Sequence, residues 1–584
     1  MDRTPPDGRR VAPRARVLPL TIGIREALHL VAARTSFASL ALMPAMVCAQ
    51  TFGPGVVAPI DLNGGTGQVL GSTTITAPTS THAVRVRSGG TLTVDTQAPP
   101  LPGAISFTSV TGNTLFADGA VILVPAGVNL FTTGGNAAIA NGSGSRIDIT
   151  GGQFNITGVG DAVVAINGGL INVANATINS TATAGATISN AHGFIAEAGG
   201  RVVATQINQI NTAASNAVAL GASGANSRVE NALAPVIAMS GTGSLGIYVH
   251  DGGQVFTPAN TLITMTGTNS VGVSADNTTV AAGTLGSGLR VDFTNPSTAQ
   301  ASGTGAVAMN GGVLTLDSFQ VTGVGAGAGV WSRPGTTITL TGSSNLTMAA
   351  TTNPTFYVLS TANLATVDGP IGSSFAVVAG LPIAGLKSQG AIFSTGTTVN
   401  VSSPNGRGGY AEINTGTATL DITNNTITTT GTGGVGLFAG DNGVITGRDS
   451  RITTRDGAAA LELFNFTSPA SIDLTNSQVT ATGTRTIGLY SANRTTNLVN
   501  QATLTGGTMT SDYVAILGNG PLDVTVDGGA LVSSPNWLMY AQTTATPFAQ
   551  PSIVQLFADN ATLNGAAGAN AAATANITLQ NASH

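Results

Sequence analysis

The stretch "RIDITGGQFNITG" (Arg146 to Gly158) is rewritten twice, hundreds of residues later, as "TLDITNNTITTTG" (Thr419 to Gly431) and "SIDLTNSQVTATG" (Ser471 to Gly483). Each version carries apolar residues two apart around an acid, then a turn, then a second alternating run that ends in Thr-Gly. Side chains alternate across a strand, so Ile147 and Ile149 share one face while Asp148 takes the other. Related segments put an apolar anchor at Ile147, Ile171, Val202, Val229, Val255, Val291, Leu314 and Ile338, and again at Leu420, Ile445, Ile472, Leu498 and Leu522. The resulting period of about 25 residues, with occasional insertions, marks a solenoid in which each repeat is one unit stacked on the next.

Glycine punctuates many of the units. Gly168-Gly169, Gly199-Gly200, Gly252-Gly253 and Gly311-Gly312 stand close before an anchor, where a tight turn needs positive φ. Ahead of the turns lie short strands such as "GFIAE" from Gly193, "GIYVH" from Gly246, "GVWSR" from Gly329, "GLFAG" from Gly436 and "GLYSA" from Gly488. Strand, glycine turn, strand, polar turn and third strand make one coil, and the expected fold is all-β, a parallel β-helix of roughly 20 coils with irregular insertions. A β-sandwich array is the competing architecture, and it would show two-residue hairpin turns between strands of even length.

Composition agrees with a packed chain: 8% charged residues and a mean hydropathy of +0.28 are far from the signature of disorder, and Gly at 78 of 584 disfavours long helices. Residues 1–49 stand apart. Seven arginines (Arg3, Arg9, Arg10, Arg14, Arg16, Arg25, Arg34) precede the apolar run "SFASLALMPAMVCA", and Val47 and Ala49 sit where cleavage before Gln50 needs small residues, so an extended secretory signal peptide is expected. Those arginines face only Asp2, Asp7 and Glu26, so removal of the signal takes the formal charge from −5 to about −9. An acidic chain with a single lysine, Lys387, is not built to neutralise phosphates, and nucleic acid is excluded as a partner. The one cysteine, Cys48, leaves with the signal, so stability must come from packing and backbone hydrogen bonds.

The long basic leader, units of the type "GLFAGDNGVITGRDSRITTRDGAAALELF" and the cysteine-free coils resemble the passenger of a bacterial autotransporter of the pertactin-like kind. The resemblance implies a right-handed parallel β-helix exported through the periplasm to the outer membrane (type V secretion), with display there or release, and a C-terminal translocator β-barrel that this sequence does not contain. The function expected is adhesion, aggregation or host-surface interaction by a virulence-associated passenger, with a host cell or matrix surface, or further copies of itself, as partners. The organisation expected is 1–49 signal peptide, 50–145 N-terminal capping coils, 146–350 β-helix, 351–403 irregular insertion and 404–584 β-helix continuation ending mid-coil. The insertion, with Pro354, Pro370, Pro382 and Lys387, is where specific recognition would reside if it has a partner.

A search for chemistry assigns no catalytic, cofactor-binding or metal residues, no cofactor, and no enzymatic role. His82, His192, His250 and His584 are scattered, His250-Asp251 falls in a repeat turn, and no HExxH or G-x-S-x-G string is present. Trp331 and Trp537 read as coil packing. The alternative is a carbohydrate-active β-helix, a polysaccharide lyase or hydrolase. The outward acids Asp148, Asp292, Asp421, Asp473 and Asp523 are its raw material. Asp421 and Asp473 lie two coils apart, about 9.6 Å if the register holds. Thr446 stands between them, with Arg448, Arg451 and Arg455 nearby.

Overall fold

The computed structural model describes residues 49–584 except 79–80, 96–104, 126–127, 133, 182–190, 294–302, 324–325, 350–355, 359–361, 367–368, 374–376, 380–382, 494–497 and 544–551. The expected signal peptide therefore lies outside the described residues, apart from Ala49. The described chain is all-β, and its coils pair in parallel as a β-solenoid, as expected, with a turn count somewhat below roughly 20. Successive strands fall in threes, one for each face of a coil: Arg146–Thr150, Gln153–Ile156 and Val163–Ile166 make one such turn. Towards the C-terminal end one long strand, Leu531–Ala541, runs through two faces without a break.

Each strand pairs with its equivalents in the coils before and after, and this stacks like residues in rows. On the second face one row runs from Ile75 through Phe107, Leu130, Phe154, Ile178 and Ile210 to Val532 and Leu563 without losing register. All of these but Leu563 are essentially excluded from water. Burying one such side chain contributes about 1.5–3 kcal/mol, and the row repeats that contribution coil after coil.

The anchors Ile147, Ile171, Val202, Val229 and Val255 form the expected row on the first face. Three others need correction. Val291 pairs with Ile263 and Val321, so it belongs to the second-face row, and Val280 begins the first-face row that continues through Leu314 and Ile338. Further on, Ile472 is followed by Ala502 and Val524, which displaces Leu498 and Leu522. The first face is interrupted at the same place as the Val291 error. A nine-stranded sheet ends at Gln254–Phe256, an eleven-stranded one begins at Thr279–Val280, and an isolated bridge from Thr257 to Leu285 spans the gap.

The corners explain the spelling of the motif. Between first and second faces the chain turns on two residues. The first, Asn424, Asp449 or Asn476, adopts a φ near +50°. The second turns inward: the Ser450 hydroxyl accepts from the Asn425 amide at 3.1 Å, and the Ser477 hydroxyl accepts from the Ser450 amide at 3.2 Å. These buried side chains satisfy backbone groups that the corner takes out of the ladder. The closing Thr-Gly has a steric cause, since a Cβ on Gly431 would sit 1.9 Å from the Ser403 carbonyl oxygen of the coil below. Gly431→Ala should destabilise the fold by about 1–3 kcal/mol in a urea titration; an unchanged midpoint would mean that the coils are not this close.

The departure from the period lies between Met348 and Ile383, because Met348 pairs with Val401 and coil strands resume at Ala384–Ser388. Inside it, Phe356–Val358 pairs antiparallel with Val377–Ala379, and Ala362–Thr366 with Gly369–Ser373. The strand Ala362–Thr366 lies against Val218–Ser223 on the third face. Third-face strands are buried on both sides: all six residues of Val218–Ser223 and of Val271–Asp276 are shielded, and a second apolar cluster including Ile139, Val164, Ile195, Tyr248 and Trp331 covers their outer side.

Candidate functional site

On the first face the strands Ala418–Thr423, Gly443–Arg448 and Ser471–Thr475 stack so that Asp421, Thr446 and Asp473 occupy one outward row. The register therefore holds, and the two carboxylates are two coil steps apart, about 9.6 Å. A second row two positions along the strands holds Thr423, Arg448 and Thr475. Arg448 thus projects from the coil between the two acids. These residues line an open groove of about 420 Å³. Phe393 extends the acid row by one coil, next to Asp421, and is 44% exposed although large and apolar. Such a ring offers a flat apolar surface to a sugar.

The structure does not bring all the expected residues to this groove. Arg451 and Arg455 have turned the corner onto the second face, where they pair with Gln478 and Thr482. Asp148 is held by Arg146 at 2.7 Å and accepts from Asn172, while Asp292 is held by Arg290 at 2.9 Å. Asp523 sits between Gln501 and Gln555, two positions off the acid row. Trp331 is fully buried, with the Lys387 ammonium 3.7 Å from its ring centre, whereas Trp537 is 37% exposed.

Sequence reasoning misses a second polar group. The third-face register stacks Glu197, Ser223, His250 and Asp276 on four consecutive coils. Glu197, His250 and Asp276 each end a strand just before a corner, but no shared turn spelling marks them, and the register is what brings them together.

An open acidic groove with a central guanidinium and an aromatic shelf, set on a parallel β-solenoid, is the kind of surface that takes a polysaccharide chain. Residues 82–369, just under half of the chain, match the family described as the BigA third pectate lyase-like domain. No curated protein matches the sequence. Among solved structures the PL6 family alginate lyase AlyGC is aligned over 91% of this chain and 96% of its own at 9% identity, but with a TM-score of 0.16 that likeness carries no argument. The pectate lyase-like match overturns the expectation of a chain without enzymatic role: it points to a β-solenoid of the polysaccharide-lyase type. The acidic groove itself lies C-terminal to the matched residues, on the eleven-stranded sheet whose first strands, Thr279–Val280, Val313–Asp317 and Thr337–Thr341, fall inside the match.

Proposed function

We propose that this chain is a carbohydrate-active β-solenoid of the polysaccharide-lyase type, which holds an acidic glycan along Phe393, Asp421, Arg448 and Asp473. The observation that carries the reading is Arg448 standing between two in-register carboxylates in an open groove. The pectate lyase-like match supports the same class of activity. In this scheme the Arg448 guanidinium pairs with a uronate carboxylate and, by drawing off charge, makes the neighbouring C5 proton more acidic. Asp421 removes that proton, the electrons form the C4–C5 double bond, the C4–O bond breaks, and the departing oxygen takes a proton from water.

The test is incubation with polyuronates, read as ultraviolet absorbance of the unsaturated product. Asp421→Asn should lower the rate by about 100-fold or more, and Arg448→Ala should act mainly on KM. Failure of the unaltered protein to produce either unsaturated or new reducing ends, or a full rate in Asp421→Asn, would sink the reading. New reducing ends without absorbance would instead favour hydrolysis, for which a separation of about 9.5 Å is the upper end of the inverting range.

We place this activity outside the cell. The basic leader and the cysteine-free remainder support export, and the pertactin-like pattern supports presentation at a bacterial outer membrane, where the rod would meet host or matrix glycans or other copies of itself.

A further inference from the structure

The third-face row sets a nucleophile, a base and an acid side by side. Ser223 Oγ lies 3.2 Å from His250 Nδ1, and His250 Nε2 lies 3.8 Å from Asp276 Oδ2. Asp276 is fixed in turn: its Oδ2 accepts from the Tyr248 hydroxyl at 3.2 Å and its Oδ1 from the Asn310 amide at 2.7 Å. The Tyr248 ring stacks on the imidazole at 5.8 Å and 10°. With its proton on Nε2, the side of Asp276, the ring presents the Nδ1 lone pair to the serine hydroxyl, and this is the tautomer the reaction below uses. Asp251 also approaches Nδ1, at 3.3 Å, but it is 45% exposed and accepts from Asn277 at 2.5 Å.

One coil before Ser223 stands Glu197. Its side chain is 1% exposed, and neither carboxyl oxygen has a hydrogen-bond partner. A buried acid left without a partner beside a serine is a group waiting for a ligand atom. Burial pushes its carboxyl up to about 7, so below that pH it keeps a proton to donate.

We propose that Ser223, His250 and Asp276 form a second reactive site, which hydrolyses an O-acyl ester, with the Glu197 carboxyl donating to the acyl oxygen. Ser223 Oγ bonds to the acyl carbon as its proton passes to His250 Nδ1. The C–O bond to the alcohol breaks, and the departing oxygen takes that proton. Water then adds to the acyl-serine, giving its proton through His250, and the carboxylic acid leaves with Ser223 restored. This site is separate from the Asp421 groove, and an ester without a uronate reads it independently of glycan cleavage.

The experiment uses the full chain, an aryl acetate, and a fluorophosphonate label mapped by mass spectrometry. Hydrolysis above the buffer rate is expected, with the label on Ser223 and a loss of at least about 100-fold in Ser223→Ala and in His250→Ala. Glu197→Ala, which removes the donor, should lower the rate while the label stays on Ser223. Absence of both turnover and label, a label on another serine, or an unchanged rate in Ser223→Ala with an unaltered circular dichroism spectrum would each overturn the proposal.

Discussion

Phe154→Ala is expected to remove about 3–5 kcal/mol of stability, because the ring is fully buried between Leu130 and Ile178 and neither neighbour can close the space left behind. In a solenoid each coil rests only on the coils beside it, so the cavity weakens two interfaces at once. Phe393→Ala removes a ring of the same size from the outward side of the first face and should change stability by no more than about 0.5 kcal/mol. Urea titrations of the pair measure inside against outside directly. Equal midpoints for the two variants would refute the assignment of faces.

Glu197 gives the second large effect, and its sign is opposite to that of a salt-bridged acid. Burial raises its carboxyl from the ordinary 4.5 to about 7. Below pH 4.5 the group is protonated in folded and unfolded chains alike and costs nothing. Between 4.5 and 7 the unfolded chain gives up the proton while the folded chain still holds it, so stability falls as pH rises through that window. By about pH 8 the accumulated loss is about 3 kcal/mol. Asp161, also raised by burial and repelled by Glu197, pulls in the same direction. Glu197→Gln should therefore stabilise the protein at about pH 8 by up to about 3 kcal/mol and leave it unchanged at about pH 4. Midpoints that rise with pH in the unaltered protein would contradict this account.

What the sequence makes legible follows from which faces alternate. First-face strands are packed on one side and wet on the other, so Ile147, Asp148 and Ile149 announce their directions, and the repeat period alone places Asp421 and Asp473 two coils apart. The same periodicity cannot say which of three inward rows an apolar residue joins. Spacing puts Val291 on the first face for that reason, although its partners Ile263 and Val321 lie on the second. Third-face strands have little wet surface. Leu245–His250 reads as a continuous apolar run and His250-Asp251 as turn punctuation, so only the register reveals the stacking of Ser223 on His250 and Asp276. Nearness in sequence groups Arg451 and Arg455 with Arg448, but the corner at Asp449-Ser450 sends them to another face.

The gap in the first-face ladder at Phe256 has a mechanical consequence. Elsewhere three seams of hydrogen bonds join each coil to the next, and shear along the rod is shared among them. At that level two seams are continuous and the third is carried by the detour through Thr257 and Leu285. Pulled lengthwise, the filament should yield there first, so its weakest joint falls within the segment that matches the lyase-like family rather than at the acidic groove.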